Sequence, residues 1–176
     1  MALIGPEAAF LYFWSDMKTL YLVRHAKASW ENDVYDWERQ LTEGGIEKAH
    51  KVAKTLKTKK IKPGKIISSY ALRALNTAVI FAVDLRYPAP DIEISRDIYE
   101  RKAIDTLDML RKQDEKYNSV MVFGHDPSIT ELYNMLTRKH ILKSPSSAAA
   151  AIEFNIKKWK DLGNLPGKTL FIETGK

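Results

Sequence analysis

Cysteine is absent from this chain of 176 residues. Disulfide frameworks, iron–sulfur clusters, cysteine-ligated zinc and thiol catalysis are therefore excluded. A cysteine-free chain is typical of a reducing compartment, and we expect a cytoplasmic protein. The composition, 45% hydrophobic and 28% charged, is that of one ordinary globular domain.

The N-terminal segment lacks a hydrophobic run long enough to cross a membrane. Its apolar stretch covers only residues 8–14, whereas a transmembrane helix needs about 20 residues. It also lacks the basic start and cleavage site of a secretory signal. We therefore expect no membrane association. Two interpretations of residues 1–16 stay open: an extension upstream of a native start at Met17, or a short arm that packs on the domain at 17–176 or on a partner.

Acidic residues are the minority charge. The chain has 22 Asp and Glu against 28 Lys and Arg, giving a net charge of +6 and an isoelectric point near 9.3. Such a balance favours anionic partners, among them phosphates and acidic protein surfaces. No nucleic-acid-binding motif accompanies the scattered lysines, so we expect no nucleic-acid partner. No apolar stripe separate from the core stripes indicates an oligomer interface.

Short β-rich runs alternate with helical patterns along the chain. The patterns predict strands at residues 19–23, 65–68, 92–94, 120–123, 148–156 and 169–172. They predict helices that begin at Thr42 as N-cap, run over 71–85 and 103–116, and begin at Asp126 as N-cap with Pro127 in the first turn. This alternation is typical of an α/β fold, a three-layer α/β/α sandwich with a mainly parallel sheet. The last two strands have no helix between them, so part of the sheet is expected to be antiparallel.

Polar side chains cluster where three of the predicted strands end. Arg24 and His25 follow the first strand, Ser69 and Arg73 follow the second, and His125 follows the strand at 120–123. Ligands of open α/β sheets bind beyond the carboxyl ends of the strands. Arginine forks and helix N-termini bind phosphate oxygens. The pattern therefore predicts a pocket for a tetrahedral phosphate with two imidazoles inside it.

An imidazole inside a phosphate pocket suggests nucleophilic attack on phosphorus. His25 needs a neutral ring, with one nitrogen free and the other held by a carbonyl or carboxylate. Arg24 and Arg73 are expected to stabilise the charge that builds on the equatorial oxygens. His125 is expected to donate to the same oxygens as an imidazolium.

Four sequence motifs, in this order, resemble one known family. They are LYLVRHAKASW, RQLTEGG, ISSYALRALNT and VFGHDPSI, and they span nearly the whole chain from Met17 to the final strand. Together they look like the histidine phosphatase superfamily, and within it the SixA-type phosphohistidine phosphatases. The resemblance implies a phosphoglycerate mutase-like fold and a phosphohistidine intermediate on His25. It also implies phosphate binding by Arg24, Arg73 and His125.

Three further residues are candidates for the site. Arg39 occupies the position of a family arginine ahead of the LTxxG turn, and we expect it to contact phosphate or substrate. Ser69 is expected either to hydrogen-bond the phosphate or to shape its turn. Glu100 is the nearest candidate for the general acid that many relatives use, with a solvated loop carboxylate as the alternative; Glu93 and Glu131 are less well placed. No cofactor or metal is expected, because no Asp/His cluster has ligand spacing.

The lack of a clear general-acid residue affects which class of substrate is expected. An alkoxide leaving group needs a proton, whereas a protonated imidazole leaves readily. The chain between residues 85 and 103 is also short, and this leaves an open site that a protein-borne phosphate can reach. The expected substrate is therefore protein phosphohistidine, for example on a histidine-phosphotransfer domain, or another activated phosphate. The alternatives are a phosphomonoesterase or mutase acting on a small metabolite, and a non-catalytic phosphate-binding module.

Overall fold

The structure is a computed structural model that describes residues 17–30 and 33–176. Both interpretations of residues 1–16 lie outside the described residues. None of the helices within the described ranges is both long and apolar enough to cross a membrane.

Strands and helices alternate along the described chain. The strands are β1 (Met17–Arg24), β2 (Lys65–Ser69), β3 (Glu93–Ser95), β4 (Ser119–Gly124), β5 (Ala149–Asn155) and β6 (Lys168–Glu173). The α-helices are α1 (Glu43–Thr58), α2 (Leu72–Leu85), α3 (Ala103–Arg111) and α4 (Ser128–Thr137). Short 3₁₀ turns lie in the connections, at Asp36–Glu38, Ala89–Asp91, Arg96–Ile98 and Trp159–Asp161.

One sheet holds all six strands in the order β3-β2-β4-β1-β5-β6. The first four strands of this order pair in parallel, and β5 and β6 pair antiparallel to their neighbours. The predicted mixed α/β sheet is therefore confirmed. Its antiparallel part holds β5 and β6, which no α-helix separates along the chain.

Apolar side chains cover both faces of the sheet. Along β1, Leu20 and Leu22 belong to one buried cluster, and Tyr21 and Val23 belong to the other. The first cluster is completed by α3 and α4, and the second by α1 and α2. Because successive strand residues point to opposite faces, a continuous apolar strand requires such a three-layer arrangement.

The start of α1 is fixed against the loop that follows β1. Thr42 caps the helix, since its hydroxyl accepts a hydrogen bond from the Gly45 amide at 3.1 Å. The Thr42 amide donates to the Lys27 carbonyl at 3.0 Å. A Cβ at Gly45 would overlap that same carbonyl oxygen, whereas a Cβ at Gly44 would have nothing within 4 Å. Gly45 therefore permits the close approach of α1 to the loop that carries His25.

Two helix boundaries differ from the sequence prediction. Helix α3 ends at Arg111 rather than at residue 116, because a polar turn follows in which Asp114 accepts from the Lys116 amide. Helix α4 begins at Ser128, and Asp126 is not its N-cap. The Asp126 carboxylate instead accepts a hydrogen bond from the Thr130 hydroxyl at 2.7 Å and pairs with Arg24 at 3.2 Å.

Three neighbouring parallel strands end at one level. Val23, Phe123 and Ser68 share one row of the sheet, so the next residues, Arg24, Gly124 and Ser69, form the last row. The His25 amide then donates to the Gly124 carbonyl at 3.0 Å. This shared edge brings the three predicted motifs into one place.

Candidate active site

His25 has the geometry of a histidine nucleophile. Its Nδ1 donates to the Ala26 carbonyl at 2.7 Å, and this tautomer leaves the lone pair on Nε2 available. The Ala26 amide donates to the Thr77 hydroxyl at 3.0 Å, which fixes the carbonyl in place. Burial lowers the pKa of His25 to about 4, and the nearby Arg73 contributes in the same direction. The ring is therefore neutral at neutral pH, as the sequence analysis required.

His125 lies beside His25, with ring centroids 5.1 Å apart. Burial first, and then the charge interaction with His25, lower the pKa of His125 to about 3. The expected imidazolium is thus corrected to a neutral ring. The Ser69 oxygen accepts from the Ala71 amide at 3.3 Å and lies 2.9 Å from His125 Nε2. With the Ser69 hydroxyl as the donor to Nε2, the proton of His125 sits on Nδ1, and the ring still donates a hydrogen bond.

Three buried nitrogen atoms of the predicted site residues have no hydrogen-bond partner among the described residues. They are Arg24 Nε, Arg73 Nε and His125 Nδ1. Buried polar groups are normally paired, and unpaired ones indicate strain or a ligand. Arg24 and Arg73 both lower the pKa of His25 by charge, so their guanidinium groups lie near its ring. Donors of this kind around one imidazole suit a phosphoryl group.

Arg24 and Arg73 are each held from one side. Arg24 Nη1 donates to the Ser144 carbonyl at 2.6 Å and pairs with Asp126. Arg73 Nη2 contacts the Asp36 carboxylate at 2.8 Å. Each guanidinium is therefore positioned through its Nη atoms, and its Nε is left for another acceptor.

Asp36 is a member of the site that was not predicted from the sequence. Its carboxylate contacts Arg73, Arg39 at 3.0 Å and the Tyr99 hydroxyl at 2.7 Å. These donors outweigh the desolvation of the carboxylate, which acts in the opposite direction, and the pKa of Asp36 falls to about 2. The spacing of Asp36 and Arg39, three residues apart, was the available sequence signal, because one helical turn brings such a pair together.

Arg39 is buried at the edge of the site, as its predicted role requires. Its Nε donates to the Ser29 carbonyl at 2.7 Å, and its guanidinium stacks on the Trp30 ring at 3.5 Å. Arg39 also lowers the pKa of His25 by charge. A direct contact of Arg39 with phosphate stays a prediction.

Glu100 lies on the wall of a cavity of about 420 Å³ that Arg73 and His125 also line. Its backbone φ is 51°, a left-handed conformation that side chains other than glycine rarely adopt. Glu131, which the sequence analysis judged less well placed, lines the same cavity. The role of Glu100 as general acid stays a prediction.

Tyr99 is the second residue of the site that the sequence did not indicate. Its ring packs edge-on against His125, with centroids 5.4 Å apart, and against Tyr70 at 4.9 Å. No motif distinguishes it from other loop tyrosines. Within the described residues, no three His, Asp or Glu side chains are grouped so that they could hold a metal ion.

The fold and this site point to a phosphoryl-transfer enzyme. Residues 20–114, more than half of the chain, match the family model of the histidine phosphatase superfamily (branch 1). The chain belongs to this superfamily and is a phosphatase. No curated protein sequence gives a significant match.

Several solved structures share the fold. The SixA protein of Agrobacterium tumefaciens, a proposed phosphohistidine phosphatase, is 22% identical with a TM-score of 0.74, covering 88% of this chain and 96% of its own. The protein histidine phosphatase SixA in complex with tungstate is 21% identical with a TM-score of 0.77, covering 89% and 97%. A mycobacterial glucosyl-3-phosphoglycerate phosphatase is 13% identical with a TM-score of 0.63, covering 88% and 97%. The phosphoglycerate mutase-like architecture expected from the motifs is therefore confirmed.

Proposed function

We propose that this chain is a metal-independent phosphatase that removes phosphate from phosphohistidine of other proteins, through a phosphohistidine intermediate on His25. The observation that carries the proposal is the arrangement around His25: a neutral ring with a free Nε2, beside three buried donors without partners. Those donors match the oxygens of a phosphoryl group in number and character.

The first chemical step follows from this geometry. Nε2 of His25 attacks phosphorus, the new N–P bond forms, and the bond to the leaving group breaks with its electron pair. Arg24 and Arg73 donate to the equatorial oxygens, where charge is stabilised in the transition state. Nδ1–H of His125 donates to the same group.

The second step regenerates the enzyme. Water attacks phosphorus, and the N–P bond to His25 breaks with its electron pair returning to Nε2. Inorganic phosphate is released. The Nδ1 hydrogen bond to the Ala26 carbonyl holds the ring in one orientation through both steps.

The surroundings of the site favour a protein-borne substrate. Between the end of α2 at Leu85 and the start of α3 at Ala103 the chain forms only β3 and two short turns. Exposed aromatic side chains stand in the loop that carries Arg39: Trp30 is 83% and Tyr35 72% exposed. Exposed aromatic residues beside an open site suit contact with another protein.

A second candidate function is hydrolysis of small phosphomonoesters. The position of Glu100 in the cavity beside His125 favours it, because an alkoxide leaving group needs a proton donor. Binding of phosphate without turnover is disfavoured, since a binding site has no need of a free imidazole nitrogen.

The deciding experiment compares a phosphohistidine protein and p-nitrophenyl phosphate as substrates, in EDTA, with His25→Ala as control. Turnover of the phosphohistidine protein that survives EDTA and is lost in His25→Ala, with weak ester turnover, would support the proposal. Strong turnover of esters alone would favour the second candidate function. That function also predicts that Glu100→Gln loses the ester turnover. The expectations of a cytoplasmic location and of no nucleic-acid or membrane partner stay predictions.

A further inference from the structure

The Asp36 carboxylate is held in place against Arg73, one of the proposed phosphate-binding arginines. Asp36 contacts Arg73 through Nη2, while Nε of Arg73 is buried and has no hydrogen-bond partner among the described residues. A guanidinium is a small planar fork with five N–H donors. A phosphoryl group bound at Nε and the Asp36 carboxylate would therefore contact the same guanidinium. The carboxylate would then lie close enough to contact a group attached to the phosphorus.

The Asp36 carboxylate borders a cavity that opens beside His125. Its side chain is 46% exposed, and it lines the cavity of about 420 Å³ together with Arg73, Tyr99 and His125. This cavity is open space beside His125, where a group attached to a phosphate bound by Arg73 and His125 can lie. It is also the space that Glu100 borders.

The contacts of Asp36 determine what the carboxylate can do. Three donors keep it ionised, so it is not a proton donor for an alcohol leaving group. A carboxylate has about four acceptor positions, and three are used by Arg39, Arg73 and Tyr99. One position remains for a donor of the substrate.

Other charged groups border the same cavity. Glu100 and Glu131 add two carboxylates, and Arg101 and Lys102 add two cations, all of them exposed. Asp126 is paired with Arg24. Asp36 is distinguished because its contacts fix it against a phosphate-binding arginine.

From this arrangement we infer that Asp36 is a specificity-determining residue, one that selects substrates whose leaving group is a protonated nitrogen ring. The inference rests on the proposed function. The carboxylate would accept a hydrogen bond from the N–H of a phosphorylated imidazolium and so favour binding of the ring in its protonated form. When the N–P bond breaks, its electron pair goes to the leaving nitrogen, and the ring departs as neutral imidazole with its proton retained.

The same carboxylate acts against anionic leaving groups. A phenolate or a carboxylate leaving group gains negative charge beside Asp36, and like charges repel in a partly desolvated site. Removing the charge of Asp36 is thus expected to shift the preference between the two kinds of substrate, and not merely to slow the enzyme.

The test compares Asp36→Asn with wild type on N-phosphoimidazole and p-nitrophenyl phosphate, and measures tungstate affinity of both proteins. Glu38→Gln is the matched control, since it removes one negative charge from the same 3₁₀ turn, where the Glu38 carboxylate accepts from the Tyr35 amide. Asp36→Asn is expected to lower kcat/KM on N-phosphoimidazole about tenfold to hundredfold. Turnover of p-nitrophenyl phosphate is expected to fall much less, so that the ratio of the two kcat/KM values changes about tenfold or more, and the control is expected to behave as wild type.

Two results would overturn the inference. An equal loss on both substrates, with weaker tungstate binding, would mean that Asp36 only positions Arg73. An unchanged ratio of the two kcat/KM values without any loss would mean that the carboxylate has no role in selection.

Failure of the proposed function is recognised separately. A wild-type enzyme that cleaves N-phosphoimidazole but no phosphohistidine protein refutes the protein substrate and leaves the Asp36 comparison intact. If wild type cleaves neither nitrogen-linked substrate, NMR titration of imidazolium at pH 6 in saturating tungstate decides the matter. Binding about tenfold weaker in Asp36→Asn would then support the inference, and equal binding would refute it.

Discussion

The rings of His25 and His125 lie 5.1 Å apart at the ends of adjacent parallel strands, and each is held neutral by its surroundings. Their ring hydrogen bonds are complementary. His25 donates through Nδ1 to Ala26 and keeps Nε2 for attack, whereas His125 places Nε2 against the Ser69 hydroxyl and, in the tautomer that accepts from this hydroxyl, keeps Nδ1–H for donation. One nucleophile and one donor thus arise from two chemically identical side chains.

The lowered histidine pKa values predict how stability depends on pH. Folding favours the neutral rings, so the unfolded chain binds more protons between pH 6.5 and about 4, and stability falls as pH falls through that window. A shift from 6.5 to about 4 corresponds to roughly 3 kcal/mol for His25. The lowered pKa of Asp36 acts at lower pH, because the stability it contributes is lost only as pH falls toward 2.

Denaturant unfolding from pH 7 to 4 measures this effect. His25→Asn is expected to flatten the decline in unfolding free energy between pH 6.5 and 4. The exposed His140, changed to Asn, is the control and is expected to keep the wild-type slope. Parallel curves for His25→Asn and wild type would contradict the assignment of a buried neutral ring.

Arg73→Lys is expected to weaken tungstate binding about a hundredfold and to slow turnover to a similar degree. The lysine keeps the charge but loses the Nε donor and the fork that Asp36 holds, and a charge-assisted hydrogen bond contributes roughly 1.5–3 kcal/mol. Isothermal calorimetry with tungstate gives the affinity. Arg86→Lys, at the exposed opposite end of α2, is the control. If Arg73→Lys bound tungstate with wild-type affinity, the assignment of Arg73 to the phosphate site would be contradicted.

Gly45→Ala is expected to destabilise the fold by about 1–3 kcal/mol and to reduce activity, because its methyl group would push against the backbone of Lys27, two residues beyond His25. Gly44→Ala is the matched control within the same helical turn. It meets no neighbour and is expected to be neutral or stabilising by up to about 1 kcal/mol, since alanine favours the helix. Thermal unfolding together with turnover compares the two, and equal behaviour would refute the close approach.

The sheet, its helices and the four central site residues were predictable from the sequence because each rests on a local signal. Apolar runs mark the strands, Thr42 marks a helix start, and the RH, SxxxR and GH elements stand where strands end. Helix α3 was predicted too long, because helical periodicity continues into a polar segment that forms a turn. Tertiary packing decides where such a helix ends, and helix propensity reflects this packing only weakly.

Other features depend on contacts between distant segments and leave little trace in the sequence. Tyr99 reaches Asp36 from 63 residues away, and the neutral state of His125 follows from its burial. Asp126 looked like a helix cap because Asp before Pro often is one. Its carboxylate binds Thr130 and Arg24 instead, a choice that only the folded chain reveals.

The most direct test of the account is to trap the phosphorylated enzyme. The chain is mixed with a phosphohistidine protein labelled on phosphorus, quenched in alkali, where phosphohistidine survives, digested and analysed by mass spectrometry. Phosphate is expected on His25, attached through Nε2, with no label in His25→Ala and with normal folding of that variant. Labelling at another residue, or full turnover by His25→Ala, would contradict it.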